Sequence, residues 1–334
     1  MMDQTLTHVN VPNDVFTAID YWRQHLNQRV LGQANLIDRL LIAVLCDGHL
    51  LIEGAPGLAK TKVIRELATG LDAKFKRIQF TPDLLPGDIT GTDIYSLEKS
   101  TFEFQPGPIF NQFILADEIN RAPAKVQSAL LEAMEERQVS IGNTTYKLPE
   151  LFLVMATQNP IEQEGTYPLP EAELDRFLLY VKVDYPAAMY ESKIVELARA
   201  EAMQKTLQNS ANLEVISQTN IFAARDQVLN LHMSPALLQY IVELVLATRT
   251  PERYGQDLKQ WVRHGASPRA TIALDRAARA HAWLHKREYV TPEDIQAIAY
   301  DVLRHRIILS YAAMAEGLIA DDVVRAIVSR VAIP

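Results

Sequence analysis

The sequence predicts a parallel-sheet α/β domain followed by a helical domain, and three observations lead there. Between residues 35 and 185, short apolar runs alternate with segments of helical periodicity, the pattern of strands joined by crossover helices. One run leads directly into GAPGLAKT, Gly54 to Thr61, a glycine-bearing stretch of the kind that wraps phosphate oxygens with backbone N–H groups. After about residue 187 the strand signals stop and helical periodicity takes over. The expected division is therefore 1–186 for an α/β domain, with a helical lead-in at about 12–47, and 187–334 for an all-helical domain. A chain of 334 residues, 48% of them hydrophobic, can bury two cores without disulfides.

Taken in order, the strand candidates are HLLIEG (49–54), RIQF (77–80), FILADE (113–118), LFLVMATQN (151–159) and FLLYVKV (177–183). Several are apolar without alternation, as strands covered on both faces are. Helix candidates lie at about 34–47, 60–70 and 123–137; the last follows Ala122-Pro123, with Pro suited to a helix start. Two intervals do not fit a minimal α/β unit. DIYSLEKSTFEFQ (93–105) places Phe102 and Phe104 in alternation, and VSIGNTTYKL (139–148) sets Gly142-Asn143 between two short alternating arms. Both read as β-hairpins inserted into the sheet domain. In the second half, Ser234-Pro235, Ser267-Pro268 and Thr291-Pro292 each pair an N-cap residue with Pro at the first helical position, and Thr291 to Asp294 resembles a capping box. Residues 251–267 (PERYGQDLKQWVRHGAS) read as a long polar loop.

A formal net charge of −8 argues against broad nucleic-acid binding, which needs clustered Lys and Arg. The N-terminal MMDQTLTHVN has no basic segment followed by an apolar one, and no window approaches the ~18 apolar residues of a membrane span. A cytoplasmic protein is expected. The single cysteine, Cys46, lies in the apolar run LLIAVLCDG and reads as a buried inert thiol in a reducing compartment. No His/Cys cluster with metal-ligand spacing occurs, and His264, near Trp261, reads as a surface residue.

A phosphate loop ordinarily reads Gly, four free positions, then Gly-Lys-Ser/Thr; here Ala59 stands at the second Gly. The added methyl is tolerable if φ there is negative and damaging if it is positive. The setting nevertheless favours a site, because the stretch follows the apolar HLLIE and opens a helix, whose N-terminal dipole and unpaired N–H groups attract anions. Lys60 is assigned to the β/γ-phosphates and Thr61 to Mg²⁺, with Gly54, Ala55, Pro56, Gly57, Leu58, Ala59 and Lys62 completing the nucleotide-binding loop. FILADE ends in two adjacent acids. Such a pair puts one carboxylate at the Mg²⁺ water shell and the next beside the attacking water, so Asp117 reads as the metal partner and Glu118 as the general base.

GAPGLAKT, FTPDLLPGDITG (80–91), FILADEINRAP (113–123), ALLEAMEERQVS (129–140), VMATQNPIEQEGTYPLPEAELDRF (154–177) and SPRA (267–270), in that chain order, resemble the MoxR family of AAA+ ATPases over about residues 28–310. In that family GLAKT is a common form of the loop. The resemblance implies an AAA+ P-loop parallel-sheet core with hairpin inserts and a helical lid, binding ATP and Mg²⁺ and working as a homo-oligomeric ring, a hexamer. It implies that Asn159 in ATQNP is the sensor-1 residue that orients water near the γ-phosphate; the plain alternative is an Asn-Pro turn. Arg176 in ELDRF matches the arginine finger that reaches a neighbouring subunit's nucleotide, the alternative being an Arg paired with Glu173 or Asp175. Arg269 in SPRA matches the sensor-2 arginine of the lid; it stands in a helical first turn, where the dipole gives a cation no help. Val30-Leu31-Gly32-Gln33 matches the segment lining the adenine pocket, with Gly32 and Gln33 its chosen contacts. Gln79 matches a polar switch that holds Glu118 away from water, while Arg121 either faces the next subunit or caps a turn. The hairpins resemble the helix-2 insert (about 81–110) and the pre-sensor-1 hairpin of this AAA+ branch, where Phe102, Phe104 and Tyr146 either grip substrate or pack within the hairpins.

The function so implied is an ATP-driven remodeller of partner proteins, chaperone-like and extending to metal-cofactor insertion or complex assembly, with a protein substrate and a partner carrying a von Willebrand factor A domain. A magnesium-chelatase-like motor subunit is the alternative in the same enzyme class. Two other classes stay open: a nucleic-acid motor, against which the acidic charge counts, and a nucleotide-regulated scaffold, against which the intact set Lys60, Asp117, Glu118 and Asn159 counts.

Overall fold

The computed structural model describes residues 15–160, 165–204 and 215–334. MMDQTLTHVN, the first residues of the expected lead-in (12–14) and residues 161–164 (IEQE) of the motif at 154–177 lie outside the described residues. The first part of the chain runs α1 (Val15–Arg29), α2 (Ala34–Leu45), β1 (Leu50–Glu53), α3 (Lys60–Gly70), β2 (Phe75–Gln79) and α4 (Pro86–Thr90). A hairpin of β3 (Gly91–Ser96) and β4 (Thr101–Pro106) follows, then β5 (Phe113–Asp117) and α5 (Ala124–Glu136). A second hairpin, β6 (Gln138–Ile141) and β7 (Thr144–Lys147), precedes β8 (Leu153–Gln158), α6 (Glu171–Leu174) and β9 (Leu179–Lys182).

Five strands form one parallel sheet in the order β2-β5-β8-β1-β9. Side chains alternate across a strand, and here both sides are apolar. Leu50, Ile52, Phe113, Leu115, Leu153 and Met155 face one core, whereas Leu51, Ile114, Ala116, Val154 and Ala156 face the other. That double burial explains the unbroken apolar runs in the sequence. The first core continues through α1, α2 and α3 into the lid, and the second is capped by α4 and α5.

The two hairpins form where the alternating patterns place them, and they touch each other. Phe104 of β4 stacks on Tyr146 of β7, with ring centroids 4.0 Å apart and planes at 21°. These two aromatics therefore pack between hairpins, while Phe102 stays 71% exposed beside Tyr95.

The lid contains α7 (Glu191–Gln204), α8 (Gln218–Asn230), α9 (Pro235–Arg249), α10 (Gln256–Trp261), α11 (Pro268–Leu284), α12 (Pro292–Leu303), α13 (Tyr311–Ala315) and α14 (Ala320–Arg330). Ser234 and Ser267 cap α9 and α11 through their side chains, and Thr291 with Asp294 closes a capping box on α12. It is helical but not purely so: β10 (Val262–His264) pairs antiparallel with β11 (Ile308–Leu309). The stretch 251–267, expected as loop, is thereby ordered as a 3₁₀ turn, α10 and β10. The partner strand lies too far along the chain for local periodicity to reveal it. His264 is exposed on β10.

Candidate active site

In a parallel sheet the C-terminal ends of all strands share one edge, and ligands of α/β proteins bind there. Gly54 follows β1, Asp117 ends β5, Asn159 follows β8 and Gln79 ends β2, so the four sequence motifs meet along that edge. Gly57 adopts φ +86°, a left-handed conformation that favours glycine, and a Cβ on Gly54 would lie 2.7 Å from the Val183 carbonyl oxygen. Ala59, the N-cap of α3, also takes the left-handed form, at φ +56°. This is the unfavourable branch anticipated above, and it costs roughly 1 kcal/mol. Lys60 Nζ donates to the Gly54 carbonyl at 2.7 Å, folded back over the loop. Burial lowers the pKa of its ammonium, opposed by the charges of Asp117 and Glu118.

The two acids are held by different partners. Asp117 Oδ1 accepts from Thr157 Oγ1 at 2.6 Å and Oδ2 from Arg77 Nη2 at 2.6 Å. Glu118 sits at φ +57°, a strained conformation of the sort found where geometry serves a site. Its N–H donates to the same Thr157 hydroxyl at 2.9 Å, and its Oε2 accepts from Gln79 Nε2 at 2.7 Å and Arg121 Nη1 at 3.0 Å. Arg77 also donates to Gln79 Oε1 at 2.7 Å, which fixes that amide with its NH₂ turned toward Glu118. The contact expected between Gln79 and Glu118 is present, and Arg121 faces Glu118 in this conformation. Asn159, at the edge beyond β8, is buried at 9% exposure.

Beside the loop, a cavity of about 180 Å³ is lined by Val30, Leu31 and Gln33, by Gly57 and Ala59, and by Ile194 and Leu197 of α7. Gly32 stands in the turn between these contacts, and Gln33 Nε2 donates to the Asp184 carbonyl at 3.1 Å. Lys62, expected at the nucleotide, pairs with Glu201 of α7 at 2.6 Å on the wall of this cavity. Its apolar lining suits a flat base.

Arg176 and Arg269 lie elsewhere. A cavity of about 410 Å³ is lined by both of them together with Gly48 and His49, just before β1, and Leu178, just before β9. These are the N-terminal ends of strands, so the cavity occupies the opposite edge of the sheet. Four-residue β1 alone separates the edges by about 13 Å. No phosphate-loop residue lines this cavity. Arg176 Nε donates to Glu135 Oε2 at 2.6 Å, and Arg269 donates to the other oxygen of the same carboxylate. The partners weighed from sequence for Arg176 are otherwise engaged: Asp175 accepts from Arg306 and Ser267, and Glu173 from Ser128. Cys46 lines the same cavity, where burial pushes its thiol up to about 12.

Thr157, Arg77, Glu135 and the α7 wall escape the sequence reading. Thr157 lies two residues before Asn159, and continuing the register that pairs Ala116 with Ala156 brings it beside Asp117. Arg77 shares the outward face of β2 with Gln79. Nothing local marks Glu135 among the acids of ALLEAMEERQVS.

Comparison with known proteins agrees with this fold. Residues 49–179 match the ATPase family associated with various cellular activities, and residues 255–327 match an AAA lid domain. Chaperone MoxR1 of Mycobacterium tuberculosis is 45% identical over 306 residues, 91% of this chain and 79% of the relative. YeaC of Bacillus subtilis is 44% identical over 311 residues, 93% of each. A crystal structure from Cytophaga hutchinsonii, provisionally assigned as an ATPase, superposes with a TM-score of 0.87 at 46% identity, covering 96% of both chains. With a phosphate loop, an acid pair and a helical lid in matching order, the chain belongs to the MoxR family of AAA+ ATPases and is an ATP hydrolase.

Proposed function

We propose that this ATPase works as a ring in which each hydrolysing site is completed by the neighbouring subunit, and that it uses the cycle to remodel partner proteins. The observation that carries the reading is the separation of Lys60, Asp117 and Glu118 from Arg176 and Arg269 onto opposite edges of one sheet. Arginines at the far edge cannot serve their own subunit's phosphates, but head-to-tail packing brings one subunit's arginine edge against the next subunit's nucleotide edge.

In this reading the backbone of residues 54–59 and the N-terminus of α3 hold the phosphates, with Lys60 moving from the Gly54 carbonyl to the β/γ-phosphates. The Thr61 hydroxyl and Asp117 carboxylate are hard oxygen donors of the kind Mg²⁺ takes, and the ion would neutralise phosphate charge. Arg77 must then yield its hold on Asp117. Glu118 accepts the proton of the attacking water once Gln79 releases it, and Asn159 orients that water. The neighbour's Arg176 and Arg269 neutralise charge on the transferring phosphoryl group.

A hexamer, a protein substrate, a von Willebrand factor A domain partner and a cytoplasmic site of action are further proposals that rest on family likeness; a relative named as a chaperone supports the protein-substrate part. The exposed Phe102 and Tyr95 offer an apolar surface for such a substrate.

The test is steady-state ATPase activity against protein concentration. Specific activity should rise with concentration, Glu118→Gln should abolish it, and inactive Lys60→Ala and Arg176→Ala should regain turnover when mixed. A concentration-independent rate, or no recovery on mixing, would remove the shared site.

A further inference from the structure

Arg176 and Arg269 come from distant segments, yet each takes one oxygen of the Glu135 carboxylate, Arg176 through Nε at 2.6 Å and Arg269 through Nη2. The frame behind them is separate. Asp175 accepts from the buried Arg306 Nε through Oδ1 and from Ser267 Oγ through Oδ2, both at 2.7 Å, and Arg306 donates to the Phe177 carbonyl at 2.6 Å. That frame already ties the start of α11 to the segment leading into β9. Glu135, in the last turn of α5 with its side chain 34% exposed, adds little to holding the domains together, since exposed ion pairs contribute at most about 1 kcal/mol.

We propose that Glu135 is a positioning residue that holds Arg176 and Arg269 side by side as one preformed receptor for the terminal phosphate of a nucleotide bound by the next copy of this chain. The inference rests on the shared-site reading of Arg176. Two guanidinium groups repel each other, and each side chain carries about 2 kcal/mol of rotamer freedom. A carboxylate between them offsets the repulsion and orders both before the phosphate arrives, and charge ordered in advance lowers a barrier more than charge that must be gathered. Arg176 uses Nε on Glu135, which leaves its two terminal amino groups for phosphate oxygens. The hydrogen bond from Arg176, with the charges of both arginines, holds the Glu135 carboxyl below its ordinary range, so the bridging group is ionised at neutral pH.

The experiment uses the full chain with Glu135→Gln, which keeps size and removes charge, and Glu135→Asp, which keeps charge. For Glu135→Gln, kcat should fall about tenfold while KM for ATP stays within about twofold, because the variant's own phosphate loop is intact; Glu135→Asp should retain more activity. Equimolar mixing with Lys60→Ala, whose arginine edge is whole, should restore turnover, whereas mixing with Arg176→Ala should not. An unchanged or raised kcat for Glu135→Gln overturns the proposal, the raised value making Glu135 a shield over the arginines. So does a loss that Lys60→Ala fails to rescue while it does rescue Arg176→Ala, since that marks damage confined to the variant subunit. If Arg176→Ala is itself not rescued, it is the shared-site reading that fails.

Discussion

The two edges of the parallel sheet are built on different principles. The nucleotide edge is made largely of backbone: a loop of contiguous residues with glycines where φ or space demands them, a helix N-terminus, and strand ends that deliver Gln79, Asp117 and Asn159. The arginine edge is made of side chains from α5, the segment before β9 and α11, joined by Glu135 and Asp175. Backbone cradles are local, so they are complete within one chain. A cluster of charged side chains can be placed wherever the fold converges, and here it converges at the sheet edge opposite the loop.

The largest effect should separate rate from binding. Arg176→Ala should lower kcat by roughly 10³, while nucleotide affinity of the dilute subunit, read by fluorescent-nucleotide titration, stays within about twofold of wild type. A matching loss of affinity would place Arg176 at its own nucleotide and erase the contrast between edges. Lys60→Ala should do the reverse first, weakening nucleotide binding by about 10- to 100-fold, the size expected for one charge-assisted hydrogen bond; unchanged affinity would remove Lys60 from the phosphate site.

Acid should strike the arginine edge. His49 lies under it, buried, its Nδ1 accepting from the Val154 N–H at 3.0 Å. Burial, followed by the charge of Arg137, pushes its pKa down from 6.5 to about 3. The unfolded chain takes up a proton near 6.5 that the native chain refuses, so stability falls as pH drops from 6.5 toward 3. This one group should remove about 1.4 kcal/mol per pH unit through that window. Burial lowers the pKa of His305 too, which adds to the same limb. Urea titrations from neutral pH downward should give a shallower pH slope for His49→Gln than for wild type; an identical slope would locate the acid sensitivity elsewhere.

The smallest effect tests the backbone edge. Ala59→Gly relieves a left-handed alanine at φ +56° but gives the unfolded chain more freedom, so the net gain should be about 0.5 kcal/mol. That corresponds to a rise in Tm of roughly 1–2 °C. A fall in Tm would mean the loop holds Ala59 for contacts that outweigh its conformation.

Much of the fold, and of the edge proposed to hold nucleotide, was legible in the sequence. Apolar runs marked five strands, N-cap serines marked helix starts, and GAPGLAKT with FILADE marked phosphate and acid positions, since each is encoded by neighbours in the chain. The sequence alone determined that a phosphate loop and an acid pair exist and in what order they fall. Tertiary structure decided the sign of φ at Ala59, the Thr157 and Arg77 contacts that aim Asp117 and Glu118, and the β10–β11 pairing. It also decided that Arg176 and Arg269 share Glu135 across the sheet from the loop. The physical reason is range: backbone conformation and helix starts follow from a few adjacent residues, whereas charge pairing depends on which distant segments the packed cores bring within about 3 Å.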